Sequence, residues 1–127
     1  MYNCPQVFHD KEDVKSNFVM YPSDLFAAIN NIFSRNEAIV LLTWIGNKGD
    51  GSFSPNIQYI MNMTGIRTPE NYYRIKRDLL GSKYVAENEY GGIHVDTTAI
   101  VSDWKQGVTK QDRKQEREAS RQRRRTE

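Results

Sequence analysis

The sequence predicts a mainly helical domain with one small β-hairpin, which is an α+β fold. Between residues 23 and 80, apolar side chains recur at three- and four-residue steps, as they do along amphipathic helices. Residues 83–89 then indicate a strand, Tyr90-Gly91-Gly92 indicates a turn, and residues 93–97 alternate between apolar and polar side chains. With 127 residues, of which 38% are apolar, the chain has the size and composition of one domain.

Composition argues against several classes of protein. The single cysteine, Cys4, cannot form an internal disulfide, and no apolar run approaches the ~20 residues of a membrane span. The N-terminal residues MYNCPQVFHDKED are polar and acidic, unlike a signal peptide. We therefore expect a soluble cytoplasmic protein that does not act at a membrane.

Charge divides the chain into a body and a tail. Residues 1–104 contain 9 Lys and Arg against 12 Asp and Glu, a balance of −3. Residues 105–127 contain 9 against 4, a balance of +5, and only Val108 and Ala119 are apolar there. We expect this tail to be unpacked, and flexible or partly helical. The predicted organisation is an N-terminal arm (1–16), a folded domain (17–104) and a basic tail (105–127).

Two elements are predicted at the start of the folded domain. Residues 17–22 indicate an edge strand that stops at Pro22, which has no amide proton to continue a ladder. A first helix follows, with Ser23 and Asp24 as candidate caps. Its predicted apolar stripe consists of Leu25, Phe26, Ile29, Ile32 and Phe33.

A second helix is predicted from a capping box. Ser34 and Glu37 have the spacing at which both side chains satisfy the first free amides of a helix. The apolar run from residue 38 to residue 45 continues it and places Trp44 in the core. The glycine-rich residues 46–51 end the helix and form a connector, because they lack the pattern of a phosphate-binding loop.

Two further helix starts follow about one helix apart. Ser54-Pro55 and Thr68-Pro69 each place a capping hydroxyl before a proline, which is tolerated at the first helical position. Between them, Gly65 can adopt the left-handed conformation that ends a helix, and Ile66 can return to the core. The predicted unit is a helix, a tight turn and a second helix.

The second helix of this unit presents a polar face. Tyr72, Ile75 and Leu79 form its inward stripe, so the opposite side is exposed. Arginine binds guanine edges bidentately and asparagine binds adenine, so this face suits the major groove of DNA. The alternative is a solvated face whose arginines pair with Glu70 and Asp78. The candidate DNA-binding residues here are Arg67, Thr68, Glu70, Asn71, Tyr73, Arg74 and Arg77.

These segments resemble the winged helix-turn-helix family of phage and plasmid replication-initiation and replisome-organiser proteins. The resemblance is carried by SRNEAIVLLTWI, FSPNIQYIMNMTGI and YYRIKRDLLGSKYV, and it covers residues 21–96. The family pattern has serine-proline before the first helix, glycine-isoleucine in the turn and a basic second helix that closes on a small residue. Its positions are filled by Ser54, Pro55, Gly65, Ile66, Arg74, Lys76, Arg77, Gly81 and Tyr84.

The resemblance implies duplex DNA binding without a metal, cofactor or catalytic group. It adds Ser54 and Asn56 in the first helix of the motif as candidate contacts. It also adds the wing tip, which consists of Tyr90, Gly91, Gly92 and His94.

The sequence departs from the family pattern in two ways. Arg67 stands where the family often has the capping residue, so the second helix starts one position later. The wing is acidic, since Lys83 stands against Glu87, Glu89 and Asp96, a balance of −2. Carboxylates repel phosphate, so we expect the wing to approach DNA only at its tip.

Non-specific affinity for DNA comes mostly from neutralising phosphates, and a body with a charge of −3 is a poor source of it. We expect the tail to provide it, while the helix face provides sequence preference. The candidate phosphate contacts of the tail are Lys114, Arg117, Arg121, Arg123, Arg124 and Arg125.

Other chemistry has little support in the sequence. His9 and His94 are not in a metal-ligand spacing, and Cys4 with His9 lacks an orienting group for nucleophilic catalysis. We expect no enzyme activity and no cofactor.

The first hypothesis is a sequence-specific double-stranded DNA-binding protein of a phage, plasmid or other mobile element, located in the cytoplasm of a bacterial or phage-infected cell. It would act in replication initiation, conjugative transfer or transcription control. A homodimer and contacts with replication or transfer proteins stay open. Two alternatives also stay open: a protein-interaction adaptor on the same scaffold, and RNA binding through the arginine-rich tail.

Overall fold

Residues 21–126, the part of the chain that the computed structural model describes, form six helices and a two-stranded sheet. The predicted arm 1–16, with Cys4 and His9, and residues 17–20 of the predicted edge strand lie outside this range. The mainly helical fold with a small antiparallel sheet is confirmed. The elements are α1 (Ser23–Ile32), α2 (Arg35–Gly46), α3 (Ile57–Thr64), α4 (Pro69–Leu80), β1 (Val85–Glu87), β2 (Ile93–Val95), α5 (Thr97–Lys105) and α6 (Lys110–Thr126).

Helix α1 begins directly after Pro22, whose carbonyl accepts a hydrogen bond of 3.0 Å from the amide of Phe26. The prediction that Ser23 or Asp24 caps this helix is wrong, because both are its first helical residues. Phe26 is 51% exposed and does not belong to the buried stripe, since it lies about 100° around the helix from Leu25. The buried residues of α1 are Leu25, Ala28, Ile29 and Ile32.

The capping box at the start of α2 is confirmed. The Ser34 hydroxyl accepts a hydrogen bond from the Glu37 amide, and the Glu37 carboxylate accepts one from the Ser34 amide, at 3.4 and 3.3 Å. Trp44 is completely buried, as predicted. Helix α2 contacts α1, α3, α4 and β2, so it is the central element of the core.

Helix α3 starts later than predicted. Asn56 caps it by accepting a hydrogen bond of 3.2 Å from the Tyr59 amide, so the assignment of Ser54 as the cap is wrong. The reason is that the chain before Asn56 runs along β2, where the Phe53 carbonyl accepts a hydrogen bond of 3.0 Å from the Ile93 amide. Because the backbone pairs with β2 up to Phe53, the helix begins only after Asn56.

The turn between α3 and α4 follows the prediction. Gly65 has a φ of 78°, in the left-handed region that glycine adopts without a steric penalty. Ile66 packs partly against the core. Thr68 then caps α4 by accepting a hydrogen bond of 3.2 Å from the Asn71 amide, and Pro69 is the first helical residue.

The sheet is shorter than predicted. Val85 pairs with Val95 and Glu87 with Ile93, and the backbone at residues 49–53 adds three hydrogen bonds along the other edge of β2. The placement of Thr97 in the second strand is wrong, because Thr97 begins α5. Asp96 stops the strand by capping this helix, accepting a hydrogen bond of 3.0 Å from the Ala99 amide.

The expectation of an unpacked tail is wrong. Residues 110–126 form α6, which packs on α1 and α4, and Arg113 and Ser120 are buried there. Low apolar content does not prevent packing here, because the body offers two buried carboxylates, Glu37 and Asp78, that require cationic partners. Residues 110–126 are therefore packed on the body instead of forming a separate tail.

Candidate nucleic-acid interface

One face of α4 and the residues just before the helix present a continuous polar surface. Tyr72, Ile75 and Leu79 are buried, which confirms the predicted inward stripe. The opposite side is exposed because a helix turns by about 100° per residue. All of the predicted residues of this surface are exposed: Arg67, Thr68, Glu70, Asn71, Tyr73, Arg74 and Arg77.

Asp78 is not a partner of the exposed arginines of α4. Its carboxylate is 3% exposed and accepts hydrogen bonds from Arg121 and Arg124 of α6. Within residues 21–126, neither Arg74 nor Arg77 forms a salt bridge. The alternative in which these arginines pair with Glu70 and Asp78 is therefore not found, and their guanidinium groups face solvent.

Asp78 is ionised under ordinary conditions because of its two partners. Burial by itself would raise the pKa of this carboxyl group, but the hydrogen bonds and charges of Arg121 and Arg124 outweigh burial and lower the pKa. The Asp78 pairing in turn raises the pKa of Arg121. The contact between α4 and α6 is thus an ion pair at neutral pH.

The acidic residues of the predicted wing are largely engaged. Glu87 forms a salt bridge of 2.9 Å with Lys76 of α4, and Asp96 caps α5. Lys83 does not act as a wing cation, because it pairs with Asp103 at 2.7 Å. Glu89 is then the one carboxylate of the hairpin that lies close to the tip and makes no salt bridge in the described part of the chain.

The hairpin turn is held by Asn88. Its side-chain oxygen accepts hydrogen bonds from the amides of Tyr90 and Gly92, at 2.9 and 2.8 Å, and its side-chain amide donates to the Gly51 carbonyl at 2.8 Å. Tyr90 is 81% exposed at the tip, and His94 is also exposed.

The glycines of the tip differ from the prediction. Gly92 is buried, and a Cβ atom there would collide with the Gly51 carbonyl oxygen. The assignment of Gly92 as a contact residue is therefore wrong, since its role is to allow this close approach. Gly91 is half-buried beside the Ser54 hydroxyl.

Ser54 and Asn56, the two candidate contacts before α3, lie in different surroundings. Ser54 is exposed next to the hairpin tip at Gly91, while Asn56 is exposed at the start of α3 and uses its side-chain oxygen as the helix cap. The structure thus brings Ser54 and the tip together.

The basic residues of α6 fall into two sets. Arg117 donates to Glu37 at 3.2 Å, and Arg121 and Arg124 donate to Asp78. Three of the predicted phosphate contacts are therefore paired with buried carboxylates within the protein: Arg117, Arg121 and Arg124. The exposed basic residues of the predicted set that make no salt bridge within residues 21–126 are Lys114, Arg123 and Arg125.

Sequence reasoning missed the residues that join α6 to the body. Arg113 is buried and donates to the Glu37 carboxylate at 2.7 Å and to the Asp78 carbonyl at 2.8 Å. A usable signal exists, since the inward residues of α6 recur at three- and four-residue steps, as a packed helix requires. These residues are Arg113, Arg117, Ser120, Arg121 and Arg124.

Residues 21–126 contain neither a metal-binding cluster nor a helix that could span a membrane. No group of three or more His, Cys, Asp or Glu side chains in this range could hold a metal ion. None of the helices in the range combines the length and apolar character that crossing a bilayer requires.

Comparisons of the chain with protein-family models, with curated proteins and with solved structures found no match.

Proposed function

We propose that this chain is a winged helix-turn-helix protein that binds double-stranded DNA with sequence preference. The observation that carries the proposal is the exposed face of α4, where Arg74 and Arg77 reach solvent without a salt bridge in the described residues. The buried stripe on the opposite side, with Ile75 at its centre, fixes the helix on the core. A rigid helix that presents guanidinium groups is suited to reading base edges in the major groove.

The order of elements also supports a winged helix-turn-helix. Helices α3 and α4 are joined by a tight turn at Gly65, and α4 leads into the β1–β2 hairpin. The backbone at residues 49–53 pairs with β2, so the segment before α3 is attached to the hairpin. This arrangement places the hairpin tip beside Ser54 at the start of the α3 segment.

The face of α4 divides into readout and positioning residues in this proposal. Asn71, Arg74 and Arg77 have the donor and acceptor groups for base edges. Glu70 lies in the first turn, where a carboxylate is favoured by the helix dipole and can also accept from cytosine. Thr68 uses its hydroxyl to cap the helix, so its part is to position the N-terminus.

The biological setting in the proposal is a phage, plasmid or other mobile element in a bacterial cytoplasm. Replication initiation, conjugative transfer and transcription control are the three roles, and they rest on the sequence resemblance across residues 21–96. We propose no enzymatic reaction. RNA binding by a tail that folds on its target is less favoured, because α6 is already packed through Arg113 and its neighbours.

The proposal is tested by equilibrium binding of the full chain to labelled random-sequence duplex DNA, single-stranded DNA and structured RNA at two salt concentrations. We expect duplex DNA to bind most tightly and its affinity to fall as salt rises. Selection from a randomised duplex pool is then expected to enrich one short motif. Absence of binding to every nucleic acid at low salt would instead support a protein-interaction adaptor.

A further inference from the structure

We infer that a cleft between the end of α4 and the last turn of α6 binds a backbone phosphate of duplex DNA. The inference rests on the proposed function, because the cleft extends the same exposed face. The cleft has a volume of about 310 Å³. Its lining consists of Arg77, Leu80, Gly81, Ser120, Arg123 and Arg124.

The cleft holds an excess of positive charge. Arginines make up three of its six lining residues, and none of the six is acidic. Asp78 lies next to it, but this one carboxylate is shared by Arg121 and Arg124. Two unit charges 4 Å apart interact by about 1 kcal/mol in water and by more near a protein surface. An anion placed between Arg77 and Arg123 is therefore favoured.

Small residues allow α4 and α6 to approach each other closely beside the cleft. A Cβ atom at Gly81 would collide with the Ser120 hydroxyl, so α6 can approach α4 this closely only because residue 81 has no side chain. The Ser120 hydroxyl accepts a hydrogen bond of 3.0 Å from Arg124, which positions that guanidinium group along the wall. Arg124 uses both of its terminal nitrogens within the protein, since the second one donates to Asp78. The planar guanidinium groups of Arg77 and Arg123 suit a phosphate, because such a group can donate two parallel hydrogen bonds.

The position of Arg123 on α6 distinguishes it from Arg125. At about 100° per residue, the two side chains leave the helix about 160° apart. Arg123 and Arg77 both line the cleft, whereas Arg125 donates to Gln122 at 3.4 Å and does not line it. Both side chains lie in the last turn of α6, where the helix dipole favours a cation.

Duplex DNA is the occupant that the surroundings favour. Arg77 belongs both to the exposed face of α4 and to the cleft, so an anion in the cleft lies beside whatever α4 binds. A helix in the major groove is flanked by the phosphates of the groove walls. The cleft would therefore fix the register of α4 on the duplex without reading sequence.

The test compares Arg123→Gln with Lys110→Gln in the full chain, using a duplex that carries the selected motif and a random duplex. Loss of one phosphate contact lowers the slope of log affinity against log salt by about 0.9. We expect Arg123→Gln to show this change and to bind about eightfold more weakly at 0.1 M salt, on both duplexes alike. Lys110→Gln removes one positive charge from the first turn of the same helix, away from the cleft, and as the control it is expected to keep the wild-type slope. Thermal unfolding of both variants checks that α6 stays packed.

The outcomes separate the cleft from the proposed function. If the wild type binds the motif duplex but both variants behave identically, the cleft is overturned and the proposed function stands. If the wild type binds no duplex DNA, both are overturned. Two further measurements complete the test: competition of inorganic phosphate with the duplex, and binding of an RNA of the same length as the duplex. Tighter binding of RNA than of duplex DNA would also overturn the inference, and so would phosphate binding that depends on Arg123 in a protein that binds no duplex.

Discussion

The guanidinium group of Arg113 donates a 2.7 Å hydrogen bond to the carboxylate of Glu37, which lies 76 residues earlier in the chain. Both side chains are almost completely buried, with 1% and 3% of their surface exposed. Arg113 also lies over the ring of Phe33, 5.6 Å from its centroid, so its charge is packed between an aromatic ring and a carboxylate. This contact attaches α6 to the start of α2.

Replacing Arg113 with methionine is expected to destabilise the protein by about 3–5 kcal/mol, because it leaves the Glu37 carboxylate buried without its closest partner. Urea unfolding measures the change. Lys114→Met is the control on the same helix, since Lys114 is exposed, and it is expected to change stability by about 0.5 kcal/mol or less.

A second variant, Glu37→Gln, tests whether the destabilisation by Arg113→Met comes from the Arg113–Glu37 ion pair. Glu37→Gln retains a side chain that can complete the capping box with Ser34. The double variant with Arg113→Met is expected to lose less than the sum of the two single variants, because the buried charge is then absent. Strict additivity would show that Arg113 acts through packing alone.

Replacing Asp78 with asparagine is expected to make stability less dependent on pH under acidic conditions. The pKa of Asp78 is lowered in the folded protein relative to its ordinary value of 3.8. A carboxyl group of this kind contributes stability above its unfolded pKa and loses that contribution as the pH falls through its folded pKa. We expect a loss of about 1–3 kcal/mol for Asp78→Asn near pH 7, shrinking as the pH falls below about 4.

Denaturant unfolding between pH 7 and pH 2.5 measures this difference. Glu89→Gln is a suitable control, because Glu89 is exposed and makes no salt bridge within residues 21–126. If the difference in free energy of unfolding between the wild type and Asp78→Asn stays constant from pH 7 to about pH 2.5, Asp78 does not act through its charge.

The parts of the fold that were predicted are those that local chemistry determines. The capping box of Ser34 and Glu37, the left-handed Gly65 and the cap at Thr68 each depend on residues at most a few positions apart. The exposed face of α4 was predictable for the same reason, because its inward stripe recurs within one helix. Periodicity and cap preferences act over this range.

The packing of α6 was not predictable in the same way. Its arginines satisfy Glu37 and Asp78, which lie 35 to 80 residues away, and no local pattern marks those two carboxylates as buried. Charge counting predicted an unpacked basic tail, whereas four of the six arginines of α6 donate to Glu37 or Asp78 within the protein. The start of α3 was missed for a related reason, since pairing of residues 49–53 with β2 is a long-range contact.

Replacing Gly81 with alanine is expected to destabilise the wild type by about 1–3 kcal/mol, because the added methyl group meets the Ser120 hydroxyl. Backbone strain does not contribute, since Gly81 has an ordinary helical φ of −77°. In a Ser120→Ala background the hydroxyl is absent, so the same substitution is expected to cost much less. Thermal unfolding measures both effects. If Gly81→Ala lowers stability equally in the wild type and in the Ser120→Ala variant, α6 does not pack on Gly81.

Replacing Arg74 with alanine is expected to weaken binding to the selected DNA motif by about 1–3 kcal/mol and to change binding to random duplex very little. The reason is that Arg74 lies on the exposed face of α4, opposite the buried Ile75 and Leu79 side of the helix. A base contact is lost only where the preferred base is present, whereas a phosphate contact is lost on every sequence.

The control for Arg74 is Lys110→Ala, which removes the same charge from the groove beside Asn30 and Trp104. It is expected to retain both affinities and the motif preference, so a general effect of net charge can be separated from readout. If Arg74→Ala weakens motif and random duplex equally, Arg74 binds phosphate, and sequence preference must come from Asn71 or Arg77. If it weakens neither, the prediction that Arg74 contacts the duplex is wrong.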